Sequence, residues 1–132
     1  MGEPAAIVRI GPVEIRLPPD PGLSRVLRLA ASGIAAMGGF TIDETEDIKI
    51  AVSEVLLALI EHGGGAPIMV QFSVEDGSFM VRGNTAVEDF DLDHPDLVLC
   101  RTVLAGVCGR HGIERLDGNV QIWAAVTHTS IS

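Results

Sequence analysis

Residues 43–62 (DETEDIKIAVSEVLLALIEH) form the longest periodic stretch in the chain, and they constrain its fold more than any other segment. Ile48, Ala51, Val52, Val55, Leu56, Leu59 and Ile60 recur at steps of three and four, which places them on one side of a helix and predicts a buried face. Asp43 is read as the cap, with Glu46 closing a capping box, and the acidic residues as far as Asp47 suit the positive end of the helix dipole. Gly63, Gly64, Gly65 and Pro67 end the pattern. Glu54, Ala58 and His62, four apart, lie above one another on a second side of the same helix and line one site if that side meets a cleft.

The remaining segments predict the layers around this helix. Val13, Ile15 and Leu17 alternate with Glu14 and Arg16 in an edge-like strand closed by Pro18 and Pro19, and residues 6–10 offer another short pairing segment. Asp20 and Pro21 suit the cap and first position of a helix with Leu23, Val26, Leu27, Ala30, Ile34 and Met37 on its apolar face. Ser24, Arg25 and Arg28 fall on or near its wet side. Residues 67–74 and 78–82 flank a tight turn at 75–78. After an irregular acidic stretch, Leu97, Val98, Val103, Leu104 and Val107 give a third helix from Pro95 or Asp96 to about Cys108. Strands at 113–116 and 119–126 then flank Asp117 and Gly118, a strong hairpin signal. This order predicts a single domain over residues 1–132. Its class is an α/β (α+β) two-layer sandwich, with helices packed on one face of a mixed, largely antiparallel sheet.

Composition excludes several functions. Eighteen acidic residues against nine basic ones give a formal charge of −9, which argues against nucleic acid as a partner, since no basic run is present to meet phosphates. The longest apolar run, residues 55–60, falls far short of the ~20 residues of a membrane span. The first residues carry no basic region ahead of an apolar one, so a cytoplasmic location is expected. Cys100 and Cys108 stand roughly 12 Å apart along a helix, beyond disulfide reach, and are read as buried thiols. No cysteine spacing resembles a zinc site, so no metal ligand is assigned. Trp123, in mid-strand, is read as sheet packing.

Residues 47–54 (DIKIAVSE), with Ala58 and His62 beyond them, resemble the N-box helix of the anti-sigma-factor serine kinases. These belong to the GHKL (histidine-kinase-like) ATPase superfamily and have the Bergerat fold. The resemblance implies that Glu54 stands at the catalytic base and His62 at the family's histidine. Ala58 stands where the family has the Asn that holds magnesium, and an alanine cannot ligate a metal. In the simplest register Gly83 occupies the place of the adenine-binding Asp, with Asn84 the nearest polar residue. The glycine-rich lid is replaced by the acidic residues 88–96, whose charge opposes a triphosphate.

The chain is therefore read as a degenerate member. Glu54 is a vestigial base, and His62, Gly83 and Asn84 mark a vestigial nucleotide pocket. No cofactor is expected, and the balance leans away from an enzyme. Function then rests on contact with a protein, a sigma factor or an anti-sigma-factor antagonist, through the acidic segment or the polar side of the first helix around Arg25 and Arg28. Homodimerisation is left open. Asp89, Asp91 and Asp93 lack the glycine and distal Glu of an EF-hand, so the segment is expected to be a solvated loop anchored by Phe90 and Leu92. Two alternatives remain. One is an active serine/threonine kinase that binds magnesium-ATP through divergent motifs, with Glu54 as base. The other is a small-molecule sensor in the vacated pocket.

Overall fold

In the computed structural model, which describes residues 8–128, the organising helix α2 spans Ile42–His62 and is capped by Thr41, ahead of the expected Asp43. The Thr41 hydroxyl accepts the Glu44 amide at 3.1 Å while the Glu44 carboxylate accepts the Thr41 amide at 2.7 Å. Asp43 and Glu46 present the same spacing, so local rules alone do not choose between the two boxes. The choice is tertiary: Glu44 is buried and its Oε1 lies 2.8 Å from His128 Nδ1, just past the last strand.

Around α2 lie β1 (Ile10–Leu17), a 3-10 turn (Pro21–Leu23), α1 (Ser24–Met37), β2 (Ile68–Glu75), β3 (Ser78–Ala86), α3 (Pro95–Val107), β4 (Arg110–Leu116) and β5 (Asn119–Thr127). The strands form one sheet in the order β1-β2-β3-β5-β4. Every pairing in it is antiparallel, so the sheet expected to be mixed is antiparallel throughout. Three helices packed on this sheet make the expected α+β two-layer sandwich. Of the pairing segment expected at 6–10, residues 6 and 7 lie outside the described residues, Val8 and Arg9 are not in a strand, and Ile10 opens β1.

The predicted face of α2 is the centre of the core: Ile48, Ala51, Val52, Val55, Leu56 and Leu59 are buried, and Ile60, at its end, is partly buried against them. On α1 the buried stripe is Leu27, Ala31, Ile34 and Ala35, whereas Val26 and Met37, expected inside, are exposed. The buried stripe at 27, 31, 34 and 35 is narrower than the apolar face, so Val26 and Met37 at its borders stay outside. Three strands are longer than their patterns, β1 beginning at Ile10 ahead of Val13. β3 continues past Arg82 to Ala86 because β2 and β5 pair with it on both sides over that length. β4 begins at Arg110 because β5 supplies partners that far, Arg110 opposite Ala125.

The hairpin turn at Asp76 and Gly77 has positive φ at both residues (54° and 74°), as a two-residue turn between twisted strands requires. The sheet face away from the helices is wet and carries Arg82, Asn84, Gln121 and Trp123. The Trp123 indole lies over Gly112, where a Cβ would come within 2.6 Å of its Nε1, in keeping with a packing role. Cys100 and Cys108 are free and buried. Burial pushes their thiols up to about 11 and about 12 respectively, so both stay protonated and poorly nucleophilic at neutral pH. Among the described residues, no helix is long and apolar enough to cross a membrane.

Candidate functional site

The second side of α2 does meet a cleft. Glu54, Ala58 and His62 face the N-terminal half of α3 across a space of about 350 Å³ that Glu61, Asp96 and Cys100 also border. Ala58 is 6% exposed. At the position where a longer polar side chain would enter the cleft, a methyl group sits against the helix pair. Glu54 is half-buried, and its pKa is raised first by that burial and then by the charge of Glu61. The sign has a consequence for stability. A carboxyl whose folded-state pKa is raised costs stability once pH exceeds that value, and nothing below the unfolded-state value where both states are protonated. Glu54→Gln is therefore expected to raise the melting temperature slightly at pH 7, with the gain fading as pH falls through the folded-state pKa towards 4.5. A gain that persisted at pH 3 would remove electrostatics as its cause.

Residues 87–94, the connection from β3 to α3, reach the end of α2 at His62 through Phe90 and His94. The Val87 amide donates to Gly118 O at 3.1 Å, and Arg115 donates to Glu88 O at 3.4 Å. Asp91 Oδ1 accepts the Asp93 amide at 3.0 Å. Phe90 is 2% exposed and sets its ring edge-on to His62 at 6.1 Å, while Leu92 packs against the core. The segment is thus anchored by Phe90 and Leu92, with Asp89, Asp91 and Asp93 outward.

Where this segment enters α3, three residues gather that the sequence reading did not join. The His62 and His94 rings are 4.6 Å apart, and Asp96 Oδ2 lies 3.9 Å from His62 Nε2 and 3.8 Å from His94 Nδ1. His94 also caps α3, its Nδ1 accepting the Asp96 amide at 3.1 Å. The His-Pro-Asp run was the available signal for such a cap, with proline at the first helical position. Nothing in the spacing pointed to His62.

Gly83 and Asn84 part company. Gly83 lies under α2, where a Cβ would stand 2.6 Å from Leu59 Cδ1 and 2.9 Å from Val55 Cγ1. It is a close-approach glycine between helix and sheet. Asn84, next along β3, points to the other face of the sheet beside Arg82 and is not joined to Glu54 or His62. On the helix side its neighbour is Thr85, 2% exposed, whose hydroxyl lies 3.0 Å from Pro67 O and 3.3 Å from Ala66 O. That hydroxyl is committed to the backbone.

No protein-family model matches the chain. In sequence it is similar to the serine-protein kinases RsbW of Bacillus velezensis and Bacillus subtilis, 35% identical over 85 residues that make up 61% of this chain and 53% of each relative. The RsbW of Listeria monocytogenes is 32% identical over 85 residues. The chain spans about half the length of the curated relatives it matches. In fold it is similar to the structure of the RsbU and RsbW domains of Rv1364c from Mycobacterium tuberculosis, with a TM-score of 0.71 and 17% identity, covering 90% of this chain and 32% of that one. A chain of the SiaB-SiaC complex from Pseudomonas aeruginosa follows, at 0.59 and 14%, covering 86% of this chain and 88% of that one. The histidine kinase domain of the blue-light activated kinase of Erythrobacter litoralis gives 0.50 and 18%, covering 96% and 66%. These likenesses bear out both the family resemblance and the fold it implied.

Proposed function

We propose, for a chain that is related in sequence to the anti-sigma-factor serine kinases and has the histidine-kinase-like fold, a regulatory role exerted by protein contact. The partner is a sigma factor or an anti-sigma-factor antagonist, and magnesium-ATP takes no part. The observation that carries this reading is Ala58. It stands buried beside α3 at the position where the resemblance requires the magnesium-holding Asn. The acidic residues 88–96 supply the surface, with a charge that steers a basic partner and speeds association.

A second reading, a working serine kinase, draws on the relatives' name and on Glu54, which faces the cleft with its pKa raised by burial, the direction in which a general base is tuned. One experiment separates them. A ligand at a hundred times its dissociation constant stabilises a fold by ~2.7 kcal/mol. Millimolar magnesium-ATP is accordingly expected to leave the melting temperature unchanged, and candidate sigma factors or antagonists from the host should co-elute with the domain equally well without nucleotide. A rise of several degrees, together with transfer of phosphate to a serine of the antagonist, would establish the kinase instead.

A further inference from the structure

The chain's own histidines offer a different ligand from the one the resemblance implies. One ligand atom from each of His62, His94 and Asp96 lies within 4.8 Å of the other two. Ligands around a tetrahedral ion at 2.0–2.1 Å stand ~3.4 Å apart, so the 3.9 Å and 3.8 Å separations to Asp96 Oδ2 need only a small closure, and the two histidines, whose ligand atoms lie within 4.8 Å, close by rotation of the half-exposed His94 ring. The three residues come from two elements that the tertiary fold brings together. His62 ends α2, largely buried with 13% of its side chain exposed, and Phe90 packs against its ring. His94 and Asp96 begin α3 and are the more exposed pair, which leaves an approach from solvent.

We propose that His62, His94 and Asp96 form a site for one divalent transition-metal ion, Zn²⁺ by ligand chemistry, that pins the acidic segment 88–96 to the end of α2. Two imidazoles and one carboxylate suit zinc and its neighbours far better than magnesium, which prefers all-oxygen ligands. Three protein ligands leave a fourth position for water or a partner's side chain. The negative end of α2 at His62, Glu54 and Glu61 along the adjoining cleft and the overall charge of −9 favour a cation and offset the positive end of α3, where His94 and Asp96 stand. Binding exchanges one bond for another. The lone pair of His94 Nδ1, which accepts the Asp96 amide at 3.1 Å, turns to the ion, and that amide, at an exposed helix start, passes to water. Because the ion would tie the connection between β3 and α3 to α2, its occupancy would set how firmly that segment is held. The site stands independently of whether the domain binds a sigma factor.

The test uses untagged protein freed of metal by chelation and titrated with Zn²⁺ by calorimetry and with Co²⁺ by absorption. One ion per chain is expected, with visible d–d bands and no thiolate charge-transfer band, and Cys100→Ser should leave both titrations unchanged. His94→Asn is the informative variant: asparagine caps a helix well but removes the imidazole. It should keep the metal-free melting temperature yet weaken Zn²⁺ by at least about tenfold, since loss even of an outer-shell partner costs about 10–100-fold. Asp96→Asn, which keeps the capping amide, should weaken it similarly. Absence of binding at micromolar Zn²⁺ overturns the proposal, as does parental affinity in His94→Asn or a thiolate band in the cobalt spectrum.

Discussion

A Gly83→Asp variant, which places an acidic side chain where the resemblance puts the adenine-binding Asp, is expected to be the most damaging single change considered. Its Cβ would stand 2.6 Å from Leu59 Cδ1 and 2.9 Å from Val55 Cγ1. Overpacking of this kind costs about 1–3 kcal/mol, and a carboxylate left unpaired in the core adds several more. Against a total stability of about 5–15 kcal/mol for a domain, much of the population should unfold. Gly83→Ala carries the steric part alone, so the difference between the two variants in urea midpoint isolates the buried charge. If Gly83→Asp folds as stably as the parent, position 83 does not face α2 and the register of β3 described above is wrong. The same geometry shows what an acidic side chain at this position has to displace, the helix–sheet contact at Leu59 and Val55.

Phe72→Ala is expected to cost ~3–5 kcal/mol, the range for removing a buried phenylalanine. Phe72 is fully buried on β2, between β1 and β3. Its ring lies 5.7 Å from that of Phe79, which in turn meets Phe40 edge-on at 6.2 Å. Phe40 meets His128 at 5.5 Å, so the row reaches the partner of Glu44 at the α2 cap. The chain is poor in aromatics, with four Phe, one Trp and no Tyr, and three of the four Phe sit in this row, which concentrates the loss. Denaturant unfolding of Phe72→Ala beside Trp123→Ala, on the wet face of the sheet, makes the comparison internal. A loss at Phe72 no larger than at Trp123 would show that the two sheet faces had been confused.

Much of this molecule follows from periodicity. Ile48 to Leu59 on α2 recur at three- and four-residue steps, and all of those predicted contacts are buried, because a helix cannot hide that face without a second layer. The Asp76–Gly77 and Asp117–Gly118 turns and the anchoring of the acidic segment by Phe90 and Leu92 are equally local. So is the placing of Glu54, Ala58 and His62 along one side of a helix. The family resemblance was carried by that same helix, and the comparisons agree with it.

The failures lie where two local solutions were equally good or where a contact spans many residues. Thr41 displaced Asp43 as the cap because Glu44 has His128 to meet, a choice made by the end of the last strand. Val26 and Met37 are outside because the stripe that α1 buries is narrower than its apolar face, and the extra residues of β3 and β4 are strand only because neighbours supply partners. Asn84 and Gly83 are adjacent in sequence but occupy opposite faces of the sheet, since side chains on a strand alternate. His62 meets His94 and Asp96 only when α3 folds back over the end of α2. The sequence by itself determined the elements and the faces that must be buried, because those depend on spacing along one segment. Which residues share a site was decided by the tertiary structure, because the distance between side chains on different elements is set by packing and not by their separation along the chain.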